Sequence, residues 1–233
     1  MFKQWDHDHG VGYNAEHGAK PATREIKAFY CPSRRSSLRP EDHAMMLTPS
    51  WPGGGTDYGG CAGRHAAFTL KTGYNLCDAS MYFEPNFFPA PFKSNADDTE
   101  AKRWGIFGRV NVSTTFKEIT DGTLNTIIVG ELQRITTADP GSKDGWAVGG
   151  PATLFTTGAM ARSEGKTCTI VAPPPPGSMM NNGFWGSPGS EHSGVVNYGM
   201  ADGSVRSLSV SIDPNVFALL GSMADGESKK LDY

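Results

Sequence analysis

The residues of this chain best suited to chemistry are a run of hydroxyl, carboxylate and imidazole, Ser190-Glu191-His192, and two further acids, Asp121 and Glu131. Such side chains serve as general bases and nucleophiles in hydrolases. Adjacent residues of an extended strand point to opposite faces, so the run 190–192 does not form a proton relay by itself. A hydrolase therefore requires Glu131, Asp121 and His192 to meet in one concave pocket, and we keep this as one alternative for the function.

Metal ligation is the second kind of chemistry that the residue types offer. The run Asp6-His7-Asp8-His9 could present two imidazoles on one face of an extended strand. Asp97-Asp98-Thr99-Glu100 and Asp121 supply the oxygen ligands that calcium prefers, but without the spacing of an EF-hand loop. We predict no metal site and no cofactor, with a single calcium ion at a loop as the alternative.

Four cysteines are spread along the chain, at Cys31, Cys61, Cys77 and Cys168. None forms a Cys-x-x-Cys motif, which argues against a zinc knuckle or a thioredoxin-like site. An even number of cysteines in a loop-rich chain indicates disulfides and an oxidising compartment, and four reduced buried thiols are the alternative. Several complete pairings are possible, and of these we predict Cys31 with Cys61 and Cys77 with Cys168.

Bulk composition excludes two classes of partner. The net charge is −3 and no basic run is longer than the two residues of Lys229-Lys230, so the chain has no basic stretch suited to a phosphate backbone and we expect no nucleic-acid binding. No stretch has the roughly 18 apolar residues that a membrane-spanning helix needs. The first nine residues are polar, so we expect neither a signal peptide nor a membrane span in this chain.

The elements that must position these residues begin with a hairpin. Two β-prone runs flank Asp202-Gly203, and an Asp-Gly pair in that setting predicts a two-residue type I′ turn. In that register Met200 pairs with Val205. A strand rises about 3.3 Å per residue, so His192 and Asp202 would lie at opposite ends of the first strand. We therefore assign both a structural role, Asp202 in the turn and His192 in a hydrogen bond to a neighbouring loop.

A second strand is predicted over residues 125–132, after a turn at Asp121-Gly122. Glu131 lies near the end of this predicted strand, beside the core. A buried carboxylate needs a partner, and Arg134 and His192 are the candidates.

A helix is predicted to begin at Asp213-Pro214, where an acidic N-cap precedes proline at the first helical position. Its apolar stripe consists of Val216, Phe217, Leu219, Leu220 and Met223. With 29 glycines and 16 prolines, turns and long ordered loops should be frequent. The predicted fold class is α+β, a mainly antiparallel twisted sheet of short strands with long ordered loops and this amphipathic C-terminal helix.

Two irregular stretches carry large apolar side chains. The first holds Tyr82, Phe83, Phe87, Phe88 and Phe92, and the second holds Met179, Met180, Phe184 and Trp185. Prolines within or beside them exclude a regular central strand or helix. Monomers seldom expose a contiguous aromatic patch without a partner, so these segments either cover the core or contact another molecule. We predict that they form a self-assembly interface.

The ordered motifs of the chain resemble a known bacterial family. Nine residues separate His192 from Asp202-Gly203, a spacing that resembles the prepilin-type processing-associated His-x9-Asp-Gly domain of pilin-like proteins and type II secretion pseudopilins. Three further stretches occur in the order of that family, and the resemblance covers roughly residues 29–223. These stretches are Phe29-Tyr30-Cys31-Pro32-Ser33, Asp57-Tyr58-Gly59-Gly60 and the segment from Ile119 to Glu131.

The resemblance implies a pilin-like organisation, with a polar segment over 1–28, a globular domain over 29–226 that includes a loop arm at 173–190, and a polar tail over 227–233. The prepilin leader and long hydrophobic helix typical of the family are not found here. The function implied is that of a non-enzymatic, secreted structural subunit that self-assembles into an extracellular filament or surface layer, with copies of itself as partners. A module that binds glycans or another surface ligand, with Trp51 and Trp185 stacked on sugar rings, is the other alternative beside the hydrolase.

Overall fold

The protein is described by a computed structural model over residues 2–46, 51–64, 104–108, 113–136, 143–158, 177, 179–183 and 186–226. Its fold is α+β, as predicted, with one mainly antiparallel five-stranded sheet. The strands are β1 (Tyr58–Cys61), β2 (Ile127–Glu131), β3 (Leu154–Phe155), β4 (Val195–Met200) and β5 (Val205–Ser209). Their order is β3-β1-β2-β4-β5, and only the β1–β3 pair is parallel.

Helices are few and short in the described residues. The α-helices are α1 (Val11–Glu16) and α2 (Pro214–Gly221). The 3-10 helices are Phe2–Gln4, Pro21–Thr23, Lys27–Phe29, Pro40–Met45, Phe116–Glu118, Thr123–Asn125 and Gly150–Ala152. None of the helices seen in this part of the chain is long and apolar enough to cross a membrane.

Helix α2 confirms the start that was predicted from Asp213-Pro214. The Asp213 carboxylate accepts hydrogen bonds from the backbone N–H groups of Asn215 and Val216, at 2.8 and 3.1 Å. These two bonds satisfy donors that have no partner within the first turn of a helix. The buried face of α2 contributes Phe217 to the core.

The main core lies between α2 and one face of the sheet. Tyr198 of β4 packs between Phe155 and Phe217, with ring centroids 6.0 and 5.8 Å away. Met179 and Met180 belong to the same core cluster, and each is only 1% exposed. The prediction that these two methionines form a self-assembly interface is therefore wrong, because their side chains are buried within the subunit.

The predicted two-residue type I′ turn of the hairpin is also wrong. Tyr198 pairs with Arg206, and the Met200 N–H donates to the carbonyl of Ser204, so the loop has three residues. Gly203 has a φ of +88°, whereas Asp202 does not adopt the positive φ that a type I′ turn requires. The backbone N–H groups of the loop also bind carbonyls of the segment before β2, which fixes the longer loop against the neighbouring strand.

Candidate functional site

Three side chains from distant parts of the chain meet at one point beside the sheet. Cys31 Sγ lies 3.2 Å from Glu131 Oε1 and 3.5 Å from His192 Nε2. His192 Nε2 lies 3.1 Å from the same carboxylate oxygen of Glu131. Cys31 and Glu131 are buried, and the His192 side chain is 30% exposed. We call this group the Cys–Glu–His cluster.

Each member of the cluster is held by a second contact. The Cys31 N–H donates to Asp57 Oδ2 at 3.0 Å. Glu131 stands at the end of β2, where its Oε2 accepts the N–H of Asn197 from β4 at 2.7 Å. His192 lies just before β4, with Nδ1 3.2 Å from the Ser33 hydroxyl oxygen. The positions of the three side chains are therefore fixed by the backbone of the sheet and by the loop at 31–33.

A buried network of ion pairs holds that loop against the body of the protein. Arg35 Nη2 lies 2.7 Å from Asp57 Oδ1 and 2.6 Å from Asp144 Oδ2. Arg34 Nη1 lies 2.8 Å from the same oxygen of Asp57. Although burial favours the neutral acid, the charges of Arg134 and Arg35 hold the pKa of Asp144 below its usual value. Through Asp57 the network reaches the backbone of Cys31.

A cysteine hydrolase is not the chemistry that this geometry favours. In a nucleophile–histidine–acid relay, the nucleophile and the acid contact different nitrogens of the imidazole. Here Nε2 of His192 faces both the thiol and the carboxylate, and Nδ1 faces Ser33. Burial, followed by the hydrogen bond to Glu131, raises the pKa of the Cys31 thiol. A reactive cysteine needs the opposite shift.

Tyr58 of β1 borders the same cluster. Burial, together with the nearby Cys31 and Glu131, raises the pKa of its phenol to about 12. The phenol therefore stays protonated at neutral pH and can donate a hydrogen bond toward the cluster.

Asp121, the third residue required by the hydrolase alternative, makes its contacts elsewhere. Its two carboxylate oxygens accept the N–H groups of Asp225 and Gly226 at 2.8 and 2.9 Å, beyond the end of α2. Gly122 follows it with a φ of +93°. Asp121 therefore fixes the segment after α2.

Asp202 lies in the hairpin loop, where its carboxylate accepts the N–H and the hydroxyl of Ser204 at 3.0 and 2.7 Å. His192 and Asp202 thus lie at opposite ends of β4, and neither contacts the other. Trp51, which the glycan-binding alternative requires, is only 2% exposed and belongs to a second core cluster. Its ring is not available to a sugar.

The predicted disulfide between Cys31 and Cys61 is wrong, because both thiols are free. The Cys31 sulfur contacts Glu131 and His192, whereas the Cys61 thiol faces the carbonyl oxygen of Gly221 at 3.7 Å. Burial raises the pKa of Cys61 to about 12, as expected for an inert core thiol.

Several sequence predictions fall outside the described residues. These are the remaining cysteines, most of the predicted interface and the first acidic run of the calcium alternative: Cys77, Cys168, Tyr82, Phe83, Phe87, Phe88, Phe92, Phe184, Trp185, Asp97, Asp98 and Glu100.

His192 is a partner of Glu131, as the sequence predicts, whereas the neighbouring positions of Cys31 and Ser33 are not predicted. The available signal was that Cys31, Ser33, Glu131 and His192 all belong to the ordered motifs quoted above. Motif residues far apart in sequence often share one location, but the motifs alone do not show which side chains touch.

The chain matches the family model described as "Protein of unknown function (DUF1559)" over residues 2–215. No curated protein and no solved structure matches the chain. The narrower resemblance to the prepilin-type His-x9-Asp-Gly domain stays a prediction. Because the match spans nearly the whole sequence, the chain belongs to the bacterial DUF1559 family of proteins of unknown function.

Proposed function

We propose that the chain is a non-enzymatic structural subunit, pilin-like and located outside the cell or at its surface, that associates with copies of itself. The observation that carries the self-association is the open edge of the sheet at β5. The non-enzymatic role is supported by the motif resemblance, and the arrangement of the Cys–Glu–His cluster is unsuited to the proton relay that the hydrolase alternative requires. The external location is supported by the motif resemblance.

Strand β5 is an edge strand of the sheet, because it pairs with β4 on one side and no described strand pairs with its other side. The Met200 N–H binds the carbonyl of Ser204, and the Val210 N–H binds that of Gly194. Backbone groups alternate along an antiparallel pair, so the polar groups of Val205 and Ser207 point away from β4. Such an edge is a template for adding a strand from another chain.

The side chains at this edge also favour contact with another protein. Val205 is 74% exposed, although valine gains free energy when it is buried. It pairs with Gly199, which in turn pairs with Val129 of β2, and Val129 is 37% exposed. The three residues form an apolar row across the open face. A second copy paired along β5 would extend this row and cover Val205.

A charge at the edge tests this proposal. Lysine on an edge strand opposes strand addition, so Val205→Lys should abolish association without unfolding the subunit, since the side chain is exposed. Leu124→Lys is the matched control, because Leu124 is 54% exposed but lies in the 3-10 helix Thr123–Asn125. Sedimentation velocity over a range of protein concentrations would measure the association, and negative-stain microscopy would show its form.

Wild type and Leu124→Lys should form larger species as the concentration rises, whereas Val205→Lys should stay monomeric. Association of Val205→Lys equal to that of wild type would reject β5 as the contact. A wild-type chain that stays monomeric at high concentration would contradict self-assembly altogether.

A further inference from the structure

The Cys–Glu–His cluster combines the three kinds of side chain that bind zinc: a cysteine sulfur, a histidine nitrogen and a carboxylate oxygen. Bonds of about 2.0–2.3 Å at tetrahedral angles place such ligand atoms about 3.4–3.6 Å apart. The observed separations are 3.5 Å for sulfur to nitrogen, 3.2 Å for sulfur to oxygen and 3.1 Å for nitrogen to oxygen. Movements of a few tenths of an ångström would bring these three atoms to the separations expected for ligands of one tetrahedral ion.

We infer that Cys31 Sγ, Glu131 Oε1 and His192 Nε2 form a binding site for one zinc-class transition-metal ion, with the fourth position open to water. The sulfur and the imidazole select against calcium and magnesium, which take oxygen ligands. Binding converts the Cys31 thiol to a thiolate and releases its proton to solvent. One thiolate, one carboxylate, a neutral imidazole and a divalent ion give a site with no net charge, which suits its burial.

The contacts around the cluster are those that orient metal ligands. A ligating histidine usually uses its second nitrogen to bind a protein group, and His192 Nδ1 faces the Ser33 hydroxyl. A ligating carboxylate is usually hydrogen-bonded through its other oxygen, and Glu131 Oε2 accepts the N–H of Asn197. The exposed side of His192 leaves a path for the ion to enter from solvent.

The site would also connect segments that are distant along the chain. Glu131 follows Cys31 by 100 residues, and His192 follows Cys31 by 161. An ion held by all three therefore joins the loop at 31–33 to the end of β2 and the start of β4. Since the complete site exists only in the folded chain, the ion should stabilise the fold. This inference does not depend on self-association.

Metal titration of the full chain tests the inference. The protein is purified with a reductant, treated with a chelator and titrated with zinc chloride in a calorimeter. A second titration with cobalt chloride is followed by absorption, because a cobalt–thiolate bond gives a charge-transfer band that oxygen and nitrogen ligands do not. We expect one zinc ion per chain and this band for cobalt.

The variants are chosen so that unfolding is not mistaken for loss of a ligand. Cys31→Ser should abolish the cobalt–thiolate band, and His192→Asn, at a partly exposed position, should weaken zinc binding by at least tenfold with an unchanged far-ultraviolet circular dichroism spectrum. Ser33→Ala tests a positioning residue and should weaken zinc binding by about 10–100-fold while keeping the band. The control is the double variant His7→Gln with His9→Gln, which removes two exposed imidazoles and should bind like wild type.

Several outcomes would overturn the assignment. A wild-type chain that binds no zinc at micromolar concentrations would reject the site. A cobalt–thiolate band that persists in Cys31→Ser would place the ligand at another cysteine. Zinc binding by a folded His192→Asn variant with wild-type affinity would remove the histidine from the ligand set, and loss of binding in the His7/His9 control would move the site to the N-terminal segment.

Discussion

Replacement of Arg35 by methionine should destabilise the protein strongly, because this arginine is the centre of the buried ion network. Its side chain is fully buried, and its guanidinium lies 2.8 Å from Asp42, 2.7 Å from Asp57 and 2.6 Å from Asp144. It also lies over the Tyr30 ring, 4.9 Å from the centroid. Methionine fills part of the same volume but leaves three buried carboxylates with one cation fewer.

The expected loss in free energy of unfolding is about 3–5 kcal/mol, the cost of removing one partner from a buried ion pair. Arg34 remains 3.1 Å from Asp42 and 2.8 Å from Asp57, and Arg134 remains 3.5 Å from Asp144, so each carboxylate keeps a cationic neighbour and the loss should lie at the lower end of this range. For a chain of this length, a loss of that size lowers the midpoint of thermal unfolding by about 6–20 °C. Denaturant titration followed by circular dichroism measures the first quantity, and calorimetry the second.

Arg39→Met is the matched control. Arg39 also pairs with Asp42, at 3.1 Å, but its side chain is 31% exposed. A partly solvated pair is screened, so we expect a loss of at most about 1 kcal/mol. Equal losses for the Arg35 and Arg39 variants would refute the argument, because they would show that burial does not determine the contribution of a pair in this network.

The Arg35 variant should also respond differently to acid. Burial opposes ionisation of Asp144, but Arg134 and Arg35 hold its pKa below the usual value, and Arg39 and Arg35 do the same for Asp42. A carboxylate with a lowered pKa in the folded state contributes stability above its unfolded pKa of about 3.9, and loses it as the pH falls toward the folded value. The difference in free energy of unfolding between wild type and Arg35→Met should therefore have its full size at pH 7 and be smaller at about pH 3. A difference that stays constant over this range would contradict the electrostatic origin.

Two further substitutions test local features of the fold. Asp213→Ala removes the side-chain acceptor at the start of α2 and should lower the free energy of unfolding by about 1 kcal/mol. Denaturant titration measures this loss, with an unchanged m-value expected, and a loss near zero would show that the cap contributes nothing. Gly130→Ala should lower the free energy of unfolding by about 1–3 kcal/mol or more, as measured by thermal unfolding, because the new Cβ would lie 2.5 Å from the ring of buried Tyr198. Gly149→Ala has no heavy atom within 4 Å of its Cβ and should change stability by less than about 0.5 kcal/mol, so equal effects at both glycines would reject the packing argument.

The sequence predicted best what depends on neighbouring residues. The start of α2 was predicted because Asp213 and Pro214 act within one helical turn, and the apolar spacing that follows is local too. The strand around Glu131 was recognisable from a short β-branched run between turn residues. The fold class follows from such elements, since one short helix and several short strands leave few other arrangements.

The hairpin register shows where local signals are insufficient. Asp202-Gly203 correctly marks the loop, but whether it contains two or three residues depends on hydrogen bonds to the segment before β2. A shift of one residue moves side chains from one face of a strand to the other. Leu208 therefore lies on the core face opposite Val196, and Val205 lies on the open face opposite Gly199. The exposed position of Val205, which supports our functional proposal, was therefore not predicted.

The use of Cys31 was mispredicted for a related reason. A disulfide and a metal bond are mutually exclusive uses of one sulfur, and the choice depends on which atoms the fold places nearby. Cys61 faces the carbonyl of Gly221, whereas Glu131 and His192 face Cys31. The inference of an oxidising compartment thus loses the Cys31–Cys61 bond as support, and the proposed external location depends on the motif resemblance. A thiolate bound to zinc is protected from oxidation by its ligation, so the metal site is compatible with export without requiring it.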